Sequence, residues 1–183
     1  ARSVVLWSNP MSGASNIKLM YLLAIGAARK TIDLQSPYIT LDPTTKWSLA
    51  EARKRGVRIR MLAEGDGTDA MPVKHASRYA YQKLLDQGIE IHEYVPTMMH
   101  TKAMIVDGIF SIIGSANFSN RSFELNDELA IGVTDPELAA GLTADFEHDL
   151  ESSKRLDKET WSKQRSFDGK LNEWFWSFFG ELF

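Results

Sequence analysis

Short apolar runs alternate with longer amphipathic stretches along most of the chain. Five apolar runs bounded by glycine, proline or polar residues predict strands at residues 4–7, 31–36, 57–62, 89–94 and 128–133. Helical periodicity predicts helices at residues 16–29, 42–55, 73–86 and 136–150. Ser15 is a candidate N-cap for the first helix. Strands and helices that alternate at this spacing predict an α/β fold, a mixed β-sheet flanked by helices.

Two further apolar runs, AMIV and IFSII, are separated by Asp107-Gly108, a dipeptide typical of tight β-hairpin turns. The second strand of such a hairpin returns antiparallel and ends at Gly114-Ser115. Polar residues that precede the first strand therefore meet polar residues that follow the second. We expect this open end of the hairpin to gather His100, Lys102 and Asn117.

The residues at the open end suit the handling of a phosphate group. Side chains alternate along a strand, so His100 and Lys102 are expected to share one face. Lysine supplies a point charge, and the groups of Ser115 and Asn117 supply neutral donors. Imidazole, with an ordinary pKa of about 6.5, serves as nucleophile or acid–base group near neutrality. Gly114 lets the backbone approach a bound anion closely.

The alternative interpretation is an ordinary hairpin with a polar end, which any one of these residues alone would favour. Together they form a run with fixed spacing, HTKAMIVDGIFSIIGSAN, and this favours the phosphate site. The run occurs once in the chain. A reaction that needs two histidines would therefore take the second from another half or another copy.

This run resembles the signature of the phospholipase D superfamily, the HKD motif, which reads His-x-Lys-x4-Asp-x6-Gly-Ser-x-Asn. The resemblance implies exchange at a phosphodiester through a phosphohistidine, in which the counterpart histidine protonates the leaving alcohol. It implies that Lys102 and Asn117 stabilise charge on the phosphoryl oxygens. Asp107 belongs to the same catalytic motif, in a supporting role within the turn. No metal and no other cofactor is expected.

The segment NRSFELNDELAIGVTD is similar to the bacterial cardiolipin synthase branch of this superfamily, in which an Arg-Ser-Phe-x-Leu-Asn-x-Glu run follows the motif. The similarity identifies residues 1–155 as a phospholipase D-like domain, the carboxy-terminal catalytic half of such enzymes. It implies that Glu128 accepts a hydrogen bond from a catalytic histidine and that Tyr38 lines the pocket. A solvated glutamate and a packing tyrosine are the alternatives.

Composition narrows the class of protein. The 183 residues fit one domain, and a formal charge of −3 does not favour a surface coated with nucleic acid. The absence of cysteine excludes disulfides and thiol chemistry. No apolar run approaches the roughly 20 residues that a membrane-spanning helix needs. We interpret the beginning at Ala1, almost directly before a strand, as that of a fragment from a longer protein.

Two other regions contain candidate chemistry. Glu64, Asp66 and Asp69 lie in a glycine-rich stretch, where solvated turn acids are favoured over a metal cluster. Residues 156–183 form a predicted amphipathic tail, with Glu173 and Glu181 off its apolar face. That face consists of Leu171, Trp174, Phe175, Phe178, Phe179 and Leu182. A membrane interface and packing against protein are both open, and packing is slightly favoured because the tail is acidic.

The leading hypothesis is phosphatidyl transfer, with phosphatidylglycerol as substrate, by one half of a two-motif active site. Its expected partners are the phospholipid, an amino-terminal HKD half or a second copy, and a membrane surface. The bacterial cytoplasmic membrane is the expected location, through parts outside this chain. Nucleic acid is not an expected partner. The alternatives are a single-motif endonuclease that acts as a homodimer and a non-catalytic domain that binds anionic head groups.

Overall fold

The computed structural model describes residues 1–12, 15–65, 71–164 and 167–177. Its strands are β1 (Arg2–Ser8), β2 (Thr31–Gln35), β3 (Ile39–Thr40), β4 (Arg58–Glu64), β5 (Glu90–Tyr94), β6 (Ala103–Val106), β7 (Phe110–Gly114), β8 (Phe118–Ser119), β9 (Glu128–Thr134) and β10 (Ser153–Arg155). Its helices are α1 (Asn16–Ala27), α2 (Pro43–Lys54), α3 (Met71–Asp86), α4 (Asn120–Glu124), α5 (Pro136–Glu151), α6 (Lys158–Gln164) and α7 (Phe167–Ser177). The predicted strands and helices are all present, with small differences at their ends.

Eight of these strands form one mixed sheet in the order β1-β9-β7-β6-β2-β4-β5-β10, which confirms the predicted fold class. Strands β2, β4 and β5 are parallel, whereas β6, β7, β9 and β1 alternate in direction. As a result, β2, β4, β5, β7 and β1 end at the same edge of the sheet at which β6 and β9 begin. We call this the site edge, because it carries the motif residues.

Helices cover both faces of the sheet. On one face, Tyr21 of α1, Leu49 of α2 and Leu84 of α3 belong to the main hydrophobic core. On the other face, Ala139 and Phe146 of α5 form a smaller core with side chains of β4 and β6. The central strands of the sheet are therefore buried on both sides, whereas the outermost strand β1 is largely exposed.

Local capping explains where three of the helices begin. Helices α2 and α5 start with Asp-Pro, and the carboxylates of Asp42 and Asp135 accept hydrogen bonds from amides two and three residues later. Ser15 occupies the N-cap position of α1, but its hydroxyl makes no capping hydrogen bond. The amide of Ile17 donates instead to the hydroxyl of Ser8, at 3.1 Å. The predicted cap was wrong because the end of β1 brings a competing serine to the same turn.

The carboxy-terminal segment packs on the domain as far as it is described. Trp161 of α6 is buried and packs at a tilt against Tyr81 of α3 with ring centroids 5.8 Å apart, and α7 also contacts α3. The predicted orientation of α7 was wrong: Glu173 is buried and faces Arg78 at 4.0 Å. Trp174, on the predicted apolar face, is half exposed, so packing of that face on the domain was wrong, whereas its contact with a membrane interface stays a prediction.

Other members of the predicted apolar face fall into two groups. Leu171 and Phe175 are also about half exposed. Phe178, Phe179 and Leu182 lie outside the described residues, as does Glu181, which was predicted off that face. The division of the chain at residue 155 stays a prediction. Among the residues that the structure describes, no helix has the length and apolar character needed to cross a membrane.

Candidate active site

The predicted hairpin is confirmed as the pair β6–β7. Asp107 and Gly108 both have positive φ, 55° and 65°, as a tight hairpin turn of this twist requires. The pairing extends past the strands, since the amide of Gly114 donates to the carbonyl of Lys102 at 3.3 Å. The hairpin therefore places residues 100–102 and 114–117 together at its open end, on the site edge.

His100 and Lys102 lie in an irregular segment, residues 95–102, that leads into β6. Because β6 begins only at Ala103, the strand face that we predicted does not extend to these two residues. His100 is exposed, whereas Lys102 is buried and its ammonium donates to the carbonyl of His100 at 2.9 Å. Burial lowers the pKa of Lys102 from its ordinary 10.5, and the negative charge of Glu128 acts against that shift.

Glu128, the first residue of β9, is held by two neighbours. The Ser115 hydroxyl donates to its Oε2, and the Asn126 amide donates to its Oε1 at 3.2 Å. The Ser115 oxygen also accepts a hydrogen bond from the amide of Leu129, at 3.0 Å. The hydroxyl that we expected to face a phosphate is thus bound to Glu128, and its role toward substrate stays a prediction. The expected contact between Glu128 and a catalytic histidine also stays a prediction.

Asn117 retains unused hydrogen-bonding capacity. Its carboxamide oxygen is shielded from solvent and has no hydrogen-bond partner within the described ranges. The short parallel pair β3–β8 sets Ile39 opposite Phe118, so the backbone of Tyr38 is level with that of Asn117. Tyr38 is half-buried. The site therefore brings the predicted pocket tyrosine next to the predicted phosphate donor, although its contact with substrate stays a prediction.

Gly114 and Asp107 have clear structural tasks. A Cβ on Gly114 would lie 2.3 Å from the carbonyl oxygen of Leu129, so the close approach of β7 and β9 requires glycine. The close approach of the Gly114 backbone to a bound anion stays a prediction. Asp107 lies at the far end of the hairpin, away from the open end. Its carboxylate accepts hydrogen bonds from the amides of Arg29, Lys30 and Thr31, at 2.9, 2.7 and 2.9 Å.

The segment before His100 is held by a residue that sequence reasoning assigned to a solvated turn. Glu64 is the last residue of β4 and only 4% exposed, and its Oε2 accepts a hydrogen bond from the amide of Met99. The prediction that Glu64 is a solvated turn residue was wrong, because it ends a buried strand and its carboxylate accepts a hydrogen bond from a backbone amide. Asp66 and Asp69 lie outside the described residues. In the described part of the chain, no cluster of three or more acidic or histidine side chains could hold a metal ion.

An apolar patch adjoins the site on the outermost strands. Val5, Trp7 and Leu129 are 59%, 57% and 56% exposed, and Trp7 pairs directly with Leu129 across β1 and β9. Leu129 follows Glu128, so the patch reaches the site edge. We call these three residues the outer patch.

A family model and curated relatives assign the chain to the same protein family. Residues 21–150 match the family model described as "Cardiolipin synthase, PLD-like domain". The chain is 36% identical over 148 residues to the cardiolipin synthase of Geobacillus sp. strain WCH70, which covers 81% of the chain and 29% of that protein. It is 33% identical over 159 residues to the minor cardiolipin synthase ClsB of Bacillus subtilis, covering 87% of the chain and 39% of that protein. The chain thus spans well under half the length of these relatives.

Solved structures share the fold. The phospholipase D family member Nuc from Salmonella typhimurium superposes with a TM-score of 0.70 at 22% identity, over 85% of this chain and 99% of Nuc. The phosphatidylserine synthase of Haemophilus influenzae superposes with a TM-score of 0.78 at 14% identity, over 98% of this chain but 45% of that protein. At these identities the likeness concerns the fold alone.

Proposed function

Because the chain belongs to the cardiolipin synthase, phospholipase D-like domain family, we propose that it is the carboxy-terminal catalytic half of an enzyme that transfers phosphatidyl groups. Phosphatidylglycerol is the proposed substrate, and cardiolipin is the proposed product. The observation that carries the proposal is the β6–β7 pairing, which places residues 100–102 and 114–117 at the same open end of one hairpin and so supports a site that contains His100, Lys102 and Asn117. These are the groups that a phosphodiester exchange needs: an imidazole, a cation and an amide.

The proposed reaction has two steps. In the first, an imidazole nitrogen attacks phosphorus, the bond from phosphorus to the glycerol oxygen breaks, and a second, protonated imidazole gives its proton to that oxygen. A phosphatidyl group then remains on histidine while glycerol leaves. In the second, a hydroxyl of another phosphatidylglycerol loses its proton to the second imidazole and attacks phosphorus. The phosphorus–nitrogen bond breaks, which releases cardiolipin and restores both histidines.

Lys102 and Asn117 would stabilise the negative oxygens that develop around phosphorus. The ammonium of Lys102 is buried, and a charge that is shielded from water interacts more strongly with a nearby anion. The carboxamide oxygen of Asn117 has no hydrogen-bond partner within the described residues, and the amide N–H groups beside it would donate to the phosphoryl oxygens. Glu128 would orient a histidine while Ser115 and Asn126 hold it in place.

The second imidazole would come from an amino-terminal HKD half of the same protein or from a second copy of the domain. The motif occurs once in this chain, and the outer patch supports a protein partner there. The outer patch reaches the site edge through Trp7 and Leu129, where a partner's histidine would have to enter, and burial of apolar surface stabilises association.

A membrane surface is the proposed place of work, since the substrate is a bilayer lipid. The half-exposed Trp174 and Phe175 on α7 support a contact with the lipid interface, where aromatic side chains are favoured. Attachment to the bacterial cytoplasmic membrane would involve parts outside this chain.

A second candidate is a one-motif nuclease that acts as a symmetric dimer. It is favoured by one observation: this fold unit covers 99% of Nuc, so a phospholipase D family protein exists at the size of one such unit. The chemistry at His100 would be the same, with a nucleic-acid phosphodiester. Plasmid cleavage by the purified protein, lost in His100→Ala, would favour this candidate over lipid transfer.

The test of the leading proposal is cardiolipin formation from phosphatidylglycerol by the full-length protein and two matched variants. His100→Ala should abolish the reaction while the protein still folds, because His100 is exposed. His148→Ala is the control, since His148 is an exposed histidine on α5. Cardiolipin formation that is unchanged in His100→Ala would overturn the assignment.

A further inference from the structure

The orientation of His100 depends on what holds the irregular segment before β6. Residues 95–102 form neither helix nor strand, so regular pairing does not fix the backbone around His100. A backbone of this kind is positioned by individual hydrogen bonds to side chains. The structure provides one such bond directly before His100, from the amide of Met99 to Glu64.

The position and burial of Glu64 favour a stable hydrogen bond to this amide. Glu64 ends β4 opposite Tyr94 of β5 and is 4% exposed, so water competes little for its carboxylate. A hydrogen bond from an amide to a carboxylate is stronger than one between neutral groups. The ammonium of Lys74 is also buried nearby and donates to the carbonyl of the next residue, Gly65, at 2.7 Å. The end of β4 is therefore an anchored point from which Glu64 reaches the segment.

The side chain of Met99 adds a second anchor. It is 5% exposed and packs in the smaller core with Phe146 and Ile105. The amide of Gln35 contacts its sulfur at 3.4 Å and donates to Asp149 of α5 at 2.6 Å. Met99 is thus fixed through both its backbone and its side chain, while the adjacent His100 remains exposed.

We propose that Glu64 is a positioning residue for His100: its carboxylate oxygen holds the Met99 amide and so sets the entry of the histidine into the site. The role rests on the proposed function, because it assumes that His100 reacts or transfers a proton at phosphorus. Glu64 itself touches Met99 and no reacting atom. In enzymes, a displacement of about 1 Å at the reacting group costs on the order of 100-fold in rate.

Two substitutions at Glu64 separate this role from a role of the negative charge. Glu64→Gln removes the charge but keeps an oxygen at the same reach, so the bond to Met99 persists. Glu64→Asp keeps the charge but withdraws the carboxylate by about 1.5 Å, one carbon–carbon bond, so the bond is lost. Positioning predicts that Gln preserves more activity than Asp, whereas an electrostatic role predicts the reverse order.

Glu93 supplies a matched control. It is a carboxylate of similar burial, 6% exposed, on the neighbouring strand β5, but it faces Arg78 of α3 at 3.5 Å. Glu93→Gln and Glu93→Asp change a buried carboxylate without changing the hydrogen bond to Met99. They measure what general disturbance of the sheet does to turnover.

The experiment measures kcat and KM for phosphatidylglycerol in the full-length protein, together with thermal melting. We expect Glu64→Asp to lower kcat by about 10- to 100-fold with KM changed less than about threefold. Glu64→Gln should stay within about fivefold of the unsubstituted protein, and both Glu93 variants within about twofold. A kcat for Glu64→Asp equal to or above that of Glu64→Gln would overturn the role, as would an equal loss in Glu93→Asp.

His100→Ala in the same assay separates this result from the proposed function. If His100→Ala loses activity and the Glu64 variants rank in the wrong order, the role of Glu64 alone is overturned. If His100→Ala retains full activity, the proposed function fails and the positioning role fails with it.

Discussion

Motif residues lie at both ends of the β6–β7 hairpin, but they have different roles at the two ends. At the turn end, the carboxylate of Asp107 is saturated by three backbone amides from residues 29–31. At the open end, His100 is exposed and the carboxamide oxygen of Asn117 has no partner in the described ranges. A saturated group fixes structure, whereas groups with spare capacity are available to a ligand.

The comparison indicates why the motif has fixed spacing. Hydrogen bonds to Asp107 hold the turn against the loop before β2. The register of β6 with its neighbours β2 and β7 then places residues 100–102 opposite residues 114–117. The residues between them are strand positions that carry no chemistry of their own. The motif of six positions therefore combines two structural positions, Asp107 and Gly114, with four polar residues at the open end.

The largest effect on activity is expected at the open end. Lys102→Met should lower kcat/KM for phosphatidylglycerol by about 10²–10³-fold, because the cation that stabilises the phosphoryl oxygens is lost. Thermal stability should not fall, since burial of this ammonium is unfavourable and lowers its pKa. Lys154→Met, at an exposed lysine on β10, is the control for a changed net charge. Turnover of Lys102→Met equal to that of the control would remove Lys102 from the site.

A substitution that disturbs the backbone at the open end should affect both stability and activity. Gly114→Ala places a methyl group 2.3 Å from the carbonyl oxygen of Leu129 and 2.8 Å from Cα of Ala130, so β9 must shift and carry Glu128 with it. We expect the free energy of unfolding to fall by about 1–3 kcal/mol, measured by urea denaturation. Gly141→Ala is the control, because a methyl group there meets no atom within 4 Å and favours helix α5. Equal stability of the two variants would contradict the account of Gly114.

The turn end should affect stability alone, by a smaller amount. Asp107→Asn weakens charge-assisted hydrogen bonds to three amides, and we expect a loss of about 1–2 kcal/mol in the free energy of unfolding. Turnover per folded molecule should stay within about twofold of the unsubstituted protein. A large loss of turnover in a stably folded Asp107→Asn protein would mean that the two ends do not divide their tasks in this way.

The pH dependence of stability sharpens the same point. Burial raises the pKa of Asp107, but the hydrogen bonds from Thr31, Arg29 and Lys30 outweigh it, so the pKa lies below its ordinary value. A lowered pKa means that the charged form stabilises the folded protein above the unfolded pKa of about 3.9, and that this stability is lost at lower pH. The difference between the unsubstituted protein and Asp107→Asn should therefore shrink as the pH falls below about 4. A difference that stays constant in denaturation curves down to pH 3 would contradict this assignment.

Features that depend on neighbouring residues could be predicted from the sequence. The Asp-Gly turn, the Asp-Pro starts of α2 and α5 and the grouping of the motif residues all follow from short segments. In each case the physical cause lies within a few residues, as a positive φ, a capping carboxylate or a strand pair joined by a tight turn.

Features that depend on distant partners could not be predicted. Glu64 accepts a hydrogen bond from an amide 35 residues away, and Ser8 accepts one from an amide nine residues away. Glu173 is buried against Arg78 of α3, although it lies next to an aromatic residue that is exposed. From sequence alone, a polar side chain is predicted to be exposed to solvent, because its distant hydrogen-bond partner is not known. Strands of two residues, such as β3 and β8, are too short to show a hydrophobic pattern.

The most direct test of the proposed phosphate site is a crystal structure of the full-length protein with vanadate. Vanadate mimics the five-coordinate phosphorus of the transition state of phosphoryl transfer. We predict vanadate at the open end of the hairpin, in contact with the imidazole of His100, the ammonium of Lys102 and the amide of Asn117. Vanadate bound elsewhere, with these three side chains directed away from one another, would contradict the account.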